Sequence, residues 1–181
     1  MKKTAFITGI TGMVGSHLAD YLLANTDWNI VGMARWRSSL DNINHLIPLI
    51  NKNNRITLKY ADLADDASLN LAIQNSRPDY VFHLAAQSFP KTSFDIPIDT
   101  LNTNVQGTAR LLEACRQHSP HSIIHICSSS EVFGRVSQDK LPIDENCTFH
   151  PASPYAISKV GTDLIGRFYA EAYNMTVDRK S

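Results

Sequence analysis

The sequence predicts an α/β domain in which a parallel sheet is covered by helices on both faces. Short apolar segments alternate with helical patterns along the chain, and this alternation is typical of parallel strands joined by right-handed crossovers. A glycine-rich stretch at 7–15, Ile-Thr-Gly-Ile-Thr-Gly-Met-Val-Gly, joins the first apolar run to the first helical pattern. The 181 residues are about one domain in length. We therefore expect one doubly wound, Rossmann-type domain over residues 1–181.

The first strand, 5–7, leads into a turn that carries three glycines at a spacing of three. Gly9 allows the backbone to turn, Gly12 leaves room for a pyrophosphate, and Gly15 lets the helix at 16–23 pack closely. Free N–H groups at the start of that helix favour a phosphate. The alternative is a glycine turn that binds nothing, because the pattern alone is weakly specific. In this setting we expect the turn to bind a cofactor through Gly9, Thr11, Gly12, Met13, Val14 and Gly15.

The second strand, 28–33, ends without the acidic residue that commonly binds the adenine ribose hydroxyls. Arg35, Arg37 and Ser38 follow instead, within Ala-Arg-Trp-Arg-Ser-Ser. Guanidinium and hydroxyl donors suit a 2′-phosphate, so this segment favours NADP over NAD. The alternative is a solvated basic loop, because basic residues are mostly exposed.

A short helix over 40–49 and a third strand over 56–60 are predicted before Asp62 and Leu63. Asp62 lies just past the end of the strand, where it could accept a hydrogen bond from the adenine amino group. It could equally cap the helix predicted over 67–73. Leu63 is expected to line the same part of the site.

The fourth strand, 80–84, is apolar enough to be buried on both faces, as strands of parallel sheets are. His83 within it is expected to be a satisfied core histidine rather than a ligand. Small residues at the carboxyl end of this strand would let a cofactor lie against the backbone, so we expect contacts from Leu84, Ala85, Ala86 and Gln87.

A long helical pattern over 98–117 has one apolar side, and a fifth buried strand over 122–127 follows it. Asn104 interrupts the helical pattern. An exposed surface position is the default expectation for this residue, and a side chain that points at the active site is the alternative.

Two further polar motifs fall at the same edge of the predicted sheet. Ser-Ser-Ser-Glu at 128–131 follows the fifth strand, and Pro-Tyr-Ala-Ile-Ser-Lys opens a helix at 154–159. Tyr155 and Lys159 are four residues apart and share one helical face, so the ammonium is expected to lower the pKa of the tyrosine from about 10. Lys159 could also hold the nicotinamide ribose. With a serine hydroxyl, the pair could move a proton while hydride goes to or from a cofactor. Without this context, such a pair lies more often on a surface helix.

Together these motifs resemble the extended short-chain dehydrogenase/reductase family. The resemblance is carried by the glycine turn, by Leu-Ala-Ala-Gln-Ser at 84–88, by Ser-Ser-Ser-Glu at 128–131 and by Tyr-Ala-Ile-Ser-Lys at 155–159. Within the family, segments 35–39, 129–131 and 151–155 are similar to those of GDP-mannose 4,6-dehydratases. Leu-Pro-Ile at 141–143 is also similar to GDP-4-keto-6-deoxymannose reductases.

The resemblance implies a catalytic set of Ser129, Glu131, Tyr155 and Lys159. Tyr155 would take the proton of the sugar C4 hydroxyl, and Ser129 would hydrogen-bond the C4 oxygen. Glu131 would remove the C5 proton as water leaves C6. The alternative for Glu131 is a solvated loop carboxylate. A reductase or an epimerase would not need this base, and a non-catalytic cofactor-binding fragment is a third interpretation.

Composition and charge limit the partners. The formal net charge is zero, so neither nucleic acid nor an anionic membrane surface is expected. Three cysteines without metal-ligand spacing indicate a reducing, cytoplasmic compartment and no metal site. The resemblance implies a nucleotide-sugar substrate, in particular a GDP-hexose, and a homodimer or higher homo-oligomer formed through the helices at 98–117 and 153–173.

The resemblance also implies a longer protein. Family members continue past the catalytic helix with further strands and a C-terminal substrate domain. Here the sixth strand is expected to begin only at 178–181, the last residues of the chain. The domain is therefore expected to be truncated relative to the family, and the incomplete sheet to expose an apolar edge.

Overall fold

The computed structural model describes residues 2–52 and 55–180, except for the side chain of residue 180. Within these residues six parallel strands form one sheet in the order β3-β2-β1-β4-β5-β6. The strands are β1 Thr4–Thr8, β2 Asn29–Ala34, β3 Ile56–Tyr60, β4 Tyr80–His83, β5 Ile123–Cys127 and β6 Thr176–Lys180. The predicted parallel α/β architecture is confirmed, with the reversal of strand order between β1 and β4.

Helices cover both faces of the sheet. They are α1 Met13–Asn25, α2 Asp66–Ser76, α3 Pro90–Asp95, α4 Pro97–Leu101, α5 Gly107–His118 and α6 Pro154–Tyr173. Successive residues of β1 point to opposite faces, and Phe6 therefore packs in one core while Ala5 and Ile7 pack in the other. The Phe6 core includes residues of α2 and α5, and the second core includes residues of α1.

The expectation that the sixth strand begins only at residue 178 is wrong. β6 begins at Thr176 and pairs with β5 from Ile123↔Thr176 to Cys127↔Lys180. Asn174 adopts a left-handed conformation with φ 54° at the end of α6, which turns the chain back towards the sheet. β5 is therefore an interior strand, and β6 forms that edge of the sheet within the described residues.

The helix predicted over 40–49 is also only partly formed. A 3₁₀ turn spans Asp41–Ile43, and irregular turns follow it. Pro48 has no N–H group to continue a helical hydrogen-bond ladder, and aspartate and asparagine favour local side-chain hydrogen bonds over helix.

The long helix predicted over 98–117 contains an irregularity. α4 passes into a π-helical segment, Asn102–Gln106, and this passes into α5 without a break. A π-helical turn inserts one extra residue per turn and rotates the following side chains about the helix axis. This segment carries Asn104, whose environment is described below.

Candidate active site

The glycine turn between β1 and α1 has the geometry that its sequence predicts. Gly9 has φ +71°, and a Cβ placed on it would lie 3.0 Å from backbone atoms of Ala85. A Cβ on Gly15 would overlap the carbonyl oxygen of Gly9. Gly12 is the N-cap of α1 and brings no side-chain capping group, so the first N–H groups of the helix have no partner within it.

A cavity of about 390 Å³ opens beside this turn, over the carboxyl ends of β1 to β4. Its size is within the range of small-molecule and cofactor sites. Most of the residues predicted to bind the cofactor line it: Gly9, Thr11, Gly12, Arg35, Ser38, Asp62, Leu63, Leu84, Ala85, Ala86 and Gln87. The predicted cofactor-binding residues did not include the other lining residues, which are Met33, Ala34, Ser88, Phe89, Asp99 and Thr103.

Other predicted cofactor residues lie around the cavity rather than in its wall. Met13 and Val14 are exposed in the first turn of α1, with Gly15 buried behind them. The guanidinium of Arg37 stacks on the ring of Trp36 at 4.7 Å. Arg35 and Ser38 thus place one cation and one hydroxyl in the wall of the cavity at the end of β2, whereas Arg37 does not line the cavity.

The structure tests whether Asp62 caps the helix that follows β3. The side chain of Asp65 caps α2 by accepting from the N–H groups of Ala67 and Ser68 at 3.2 and 3.3 Å. The capping alternative for Asp62 is therefore wrong. Asp62 lines the cavity and accepts from the N–H of Ala64 at 3.0 Å.

The backbone after β4 is held by Thr8. The N–H groups of Leu84 and Ala85 both donate to Thr8 Oγ1 at 3.0 Å. These two residues therefore line the cavity without offering their N–H groups to a ligand. His83 is buried and contacts the hydroxyls of Thr8 and Thr108, which confirms the prediction of a satisfied core histidine.

The default expectation of an exposed Asn104 is wrong, because its side chain is 1% exposed. Its Oδ1 accepts from the N–H of Gln87 at 2.7 Å, and its Nδ2 donates to Gln87 O at 3.0 Å and to Ser158 Oγ at 2.8 Å. Thr100, Asn104 and Thr108 recur every four residues and are all buried. That polar spacing on one helical face was the signal by which the sequence could have revealed this residue.

Tyr155 and Lys159 are both buried in α6, close to the end of β5. The Lys159 ammonium donates to the carbonyl of Cys127 at 2.9 Å and lies 5.9 Å from the centre of the Tyr155 ring. Burial raises the pKa of Tyr155, a hydrogen bond from Ser129 opposes that rise, and the negative charge of Glu131 adds to it. The expectation of a lowered tyrosine pKa is therefore wrong for the chain alone, because desolvation dominates. Burial likewise lowers the pKa of Lys159.

Glu131 lies in a 3₁₀ turn, Ser130–Phe133, directly after β5. The Ser129 side chain accepts from the N–H of Glu131 at 3.3 Å and so begins this turn. Ser153, the N-cap of α6, donates its hydroxyl to Glu131 Oε2 at 3.4 Å. The predicted catalytic residues therefore meet where β5 ends and α6 begins.

The residues present fit a dinucleotide. A bare N-cap glycine and the open start of α1 suit a pyrophosphate, and Arg35 with Ser38 suits a further phosphate. In the part of the chain that the structure describes, no group of three or more His, Cys, Asp or Glu side chains is placed to hold a metal ion. None of the helices described above combines the length and the hydropathy of a membrane-spanning segment.

The fold and the site together define a Rossmann-type domain of the extended short-chain dehydrogenase/reductase class. The dTDP-glucose 4,6-dehydratase DesIV of Streptomyces venezuelae, solved with NAD bound, matches 97% of this chain and 54% of its own, with a TM-score of 0.85 and 27% identity. The UDP-glucose 4-epimerase of Thermus thermophilus, in complex with NAD, matches 97% of this chain and 53% of its own, with a TM-score of 0.84 and 26% identity.

Sequence comparison is more specific. Residues 6–179 match the family model for GDP-mannose 4,6 dehydratase, and the chain belongs to that family. The GDP-mannose 4,6 dehydratase of Drosophila melanogaster is 38% identical over 179 residues, which are 96% of this chain and 45% of the relative. The Vibrio cholerae enzyme is 38% identical over 181 residues, 97% of this chain and 48% of the relative. The chain thus spans about half the length of the curated relatives that it matches.

Proposed function

We propose that the chain is the cofactor-binding and catalytic part of an NADP-dependent nucleotide-sugar dehydratase that converts GDP-mannose to GDP-4-keto-6-deoxymannose. The observation that carries this proposal is the position of Glu131 at the start of α6, where its Oε2 accepts from the Ser153 hydroxyl at 3.4 Å, two residues before Tyr155. Dehydration across C5 and C6 needs a base in addition to the tyrosine. The names of the curated relatives support the choice of GDP-mannose.

NADP is the proposed cofactor, in preference to NAD. Arg35 follows β2 at the position where an acidic residue would bind ribose hydroxyls, and Ser38 lines the same end of the cavity. A guanidinium and a hydroxyl would bind a 2′-phosphate by charge-assisted hydrogen bonds. When bound, the nicotinamide would supply the acceptor and later the donor of a hydride.

The side chains of this chain would perform the proton transfers. Tyr155 takes the proton of the C4 hydroxyl, and Ser129 holds the C4 oxygen. The ketone formed at C4 acidifies the C5 proton, which Glu131 takes and passes to the departing C6 hydroxide, so that water leaves. The proton taken up by Tyr155 balances the one that C5 regains when C6 receives the hydride. Because burial raises the pKa of Tyr155, the Ser129 hydrogen bond is the contact that favours the phenolate.

Incubation with GDP-mannose and NADP⁺, followed by mass analysis of the nucleotide sugar, tests the proposal. We expect a product that has lost one water, and at least about 100-fold less of it from Glu131→Gln. Unchanged GDP-mannose in a sample that binds NADPH would contradict the dehydratase and favour a non-catalytic cofactor-binding fragment. A 4-epimer formed without loss of water would favour an epimerase, the activity named for the Thermus thermophilus neighbour.

A homodimer is proposed as the assembly. Ile157, Leu164 and Phe168 share one face of α6 and are each at least half exposed. A second copy of the chain would bury these side chains in a helix-to-helix interface. Sedimentation should show a dimer that Leu164→Glu with Phe168→Glu converts to a monomer. A wild-type monomer at micromolar concentration would contradict this assembly.

The cytoplasm is the proposed location. Cys115, Cys127 and Cys147 are all free thiols in the structure, and free thiols are typical of reducing compartments.

A further inference from the structure

The His83 ring bridges two parts of the site. It lies at the end of β4 and is 5% exposed. Its Nδ1 is 2.9 Å from Thr8 Oγ1, and its Nε2 is 2.9 Å from Thr108 Oγ1. Thr8 directly precedes the glycine turn, and Thr108 is the second residue of α5, two residues after the end of the π-helical segment. One side chain thus joins the end of β1 to the helix that carries Asn104.

The hydrogen bonds of Thr8 decide which ring nitrogen carries the proton. A threonine hydroxyl has one proton and two acceptor lone pairs. The N–H groups of Leu84 and Ala85 both donate to Thr8 Oγ1 at 3.0 Å and so use both lone pairs. The hydroxyl proton of Thr8 is then left for Nδ1 of His83, which must accept it. The proton of the neutral ring is therefore on Nε2.

The contacts of Thr108 agree with this tautomer. The Thr108 hydroxyl donates to the carbonyl of Asn104 at 2.6 Å, so its oxygen can accept from Nε2–H of His83. A doubly protonated ring would bring a third donor to Thr8 Oγ1 and leave the Thr8 proton without an acceptor.

Electrostatics also favour the neutral ring. Burial and the charge of Lys159 lower the pKa of His83 to about 3. Lys159 and Cys127 are the titratable neighbours that share a small void with His83, and this void is too small for a water molecule. A proton on His83 would place a second buried cation beside Lys159.

The network continues from Asn104 to the catalytic helix. Asn104 Nδ2 donates to Ser158 Oγ at 2.8 Å, and the Ser158 hydroxyl donates to the carbonyl of Tyr155 at 2.7 Å. An unbroken series of contacts therefore runs from the residue before Gly9 to α6.

We propose that His83 is a positioning residue: as the neutral Nε2–H tautomer, it fixes the glycine turn relative to Asn104 and, through Asn104, relative to Tyr155 and Lys159. The proposal rests on the proposed cofactor site, because the glycine turn would hold the pyrophosphate and the Tyr155 and Lys159 region the nicotinamide ribose of the same dinucleotide. It predicts that disturbing the ring weakens cofactor binding even though His83 touches no cofactor.

The imidazole ¹H–¹⁵N spectrum of the labelled wild-type chain tests the tautomer directly, with the His83 signals assigned by their loss in His83→Gln. We expect a protonated Nε2 and an unprotonated Nδ1 that do not change between pH 8 and pH 5. A proton on Nδ1, or a ring that titrates in this range, would overturn the assignment. This measurement needs no cofactor and no activity.

The positioning role is tested by NADPH dissociation constants together with urea unfolding of each variant. His83→Leu removes both ring contacts, whereas His83→Gln keeps one donor and one acceptor. We expect about a tenfold weaker affinity for His83→Leu and recovery of most of it in His83→Gln. Val81→Ala is the matched control, because Val81 is fully buried in the same strand outside the network. It should lose stability and keep its affinity.

Wild-type affinity in folded His83→Leu would overturn the positioning role. Equal losses of affinity in His83→Leu, His83→Gln and Val81→Ala would also overturn it, since they would reflect stability alone. If His83→Leu does not fold, His83→Gln against Val81→Ala decides: we expect a small loss of affinity in His83→Gln and none in Val81→Ala, and equal losses in the two variants would overturn the role. Failure of the wild-type chain to bind NADPH would overturn the proposed function and the coupling with it, while the imidazole spectrum would still decide the tautomer.

Discussion

Replacing Gly12 by alanine should separate cofactor binding from folding. Gly12 has φ −78° and ψ 167°, which is ordinary extended backbone for any residue. A Cβ on Gly12 would meet one protein atom, the carbonyl oxygen of Gly9 at 3.3 Å. The methyl group therefore projects into the cavity that Gly12 lines, with little disturbance of the fold.

Gly12→Ala should change the free energy of unfolding less than it changes the affinity for the cofactor. Alanine is a poorer N-cap than glycine, so the free energy of unfolding should fall by about 1 kcal/mol or less. A methyl group forced against a bound pyrophosphate should cost about 2 kcal/mol of binding, typical of overpacking, and that is about a 30-fold weaker affinity. Gly12→Ser sharpens the comparison: its hydroxyl is a better N-cap and should restore or raise stability, while binding should still be lost.

Titration calorimetry with NADPH and urea unfolding measure these two quantities. Binding and stability should move in opposite directions in Gly12→Ser. Full NADPH affinity in both variants would refute the placement of the pyrophosphate on the start of α1. A collapse of stability in Gly12→Ala would refute the geometric reasoning about the turn.

Three further predictions concern specificity, catalysis and acid stability. Arg35→Ala with Arg37→Ala should weaken NADPH by about tenfold or more, as expected for lost charge-assisted hydrogen bonds, and leave NADH nearly unchanged; equal losses for both cofactors in calorimetry would contradict a 2′-phosphate site. Glu131→Gln should reduce product formation from GDP-mannose by about 100-fold or more at an unchanged NADPH dissociation constant, and retained turnover would exclude the base assignment. The folded-state pKa of His83, about 3, is below its ordinary value of 6.5, so the unfolded chain binds more protons between these two pH values. The contribution of His83 to the free energy of unfolding is therefore fully present above pH 6.5. It falls as the pH drops towards 3, by up to about 1.4 kcal/mol per pH unit. The urea midpoint of His83→Gln should depend less on pH than that of the wild-type chain. Parallel pH dependences for the variant and the wild type would contradict this contribution of His83.

Local patterns in the sequence were sufficient to predict the sheet and the turn at its edge. The glycine spacing identified a strand-to-helix junction because only residues without a Cβ fit beside Gly9 and Ala85. Other predictions also depended on short local patterns. Apolar runs predicted β4 and β5, and the lack of an acidic residue after β2 led to the prediction of a phosphate-binding role for Arg35.

The errors arose where long-range packing decides the outcome. Asn104 is buried because the π-helical segment turns it towards Gln87 and Ser158, which lie 17 and 54 residues away along the chain. The pKa of Tyr155 rises because burial outweighs a lysine that is directed at the Cys127 carbonyl. The four-residue spacing of Tyr155 and Lys159 predicts neither the desolvation of the tyrosine nor the hydrogen-bond partner of the lysine.

The affinities of the folded chain for NADPH and NADH, measured side by side in calorimetry, test most directly whether a dinucleotide lies across the carboxyl edge of the sheet. We predict that both bind and that NADPH binds at least about tenfold more tightly, because Arg35 and Ser38 line the end of the cavity proposed to hold its additional phosphate. No binding of either dinucleotide at millimolar concentration would contradict the site, and tighter binding of NADH would contradict the role given to Arg35.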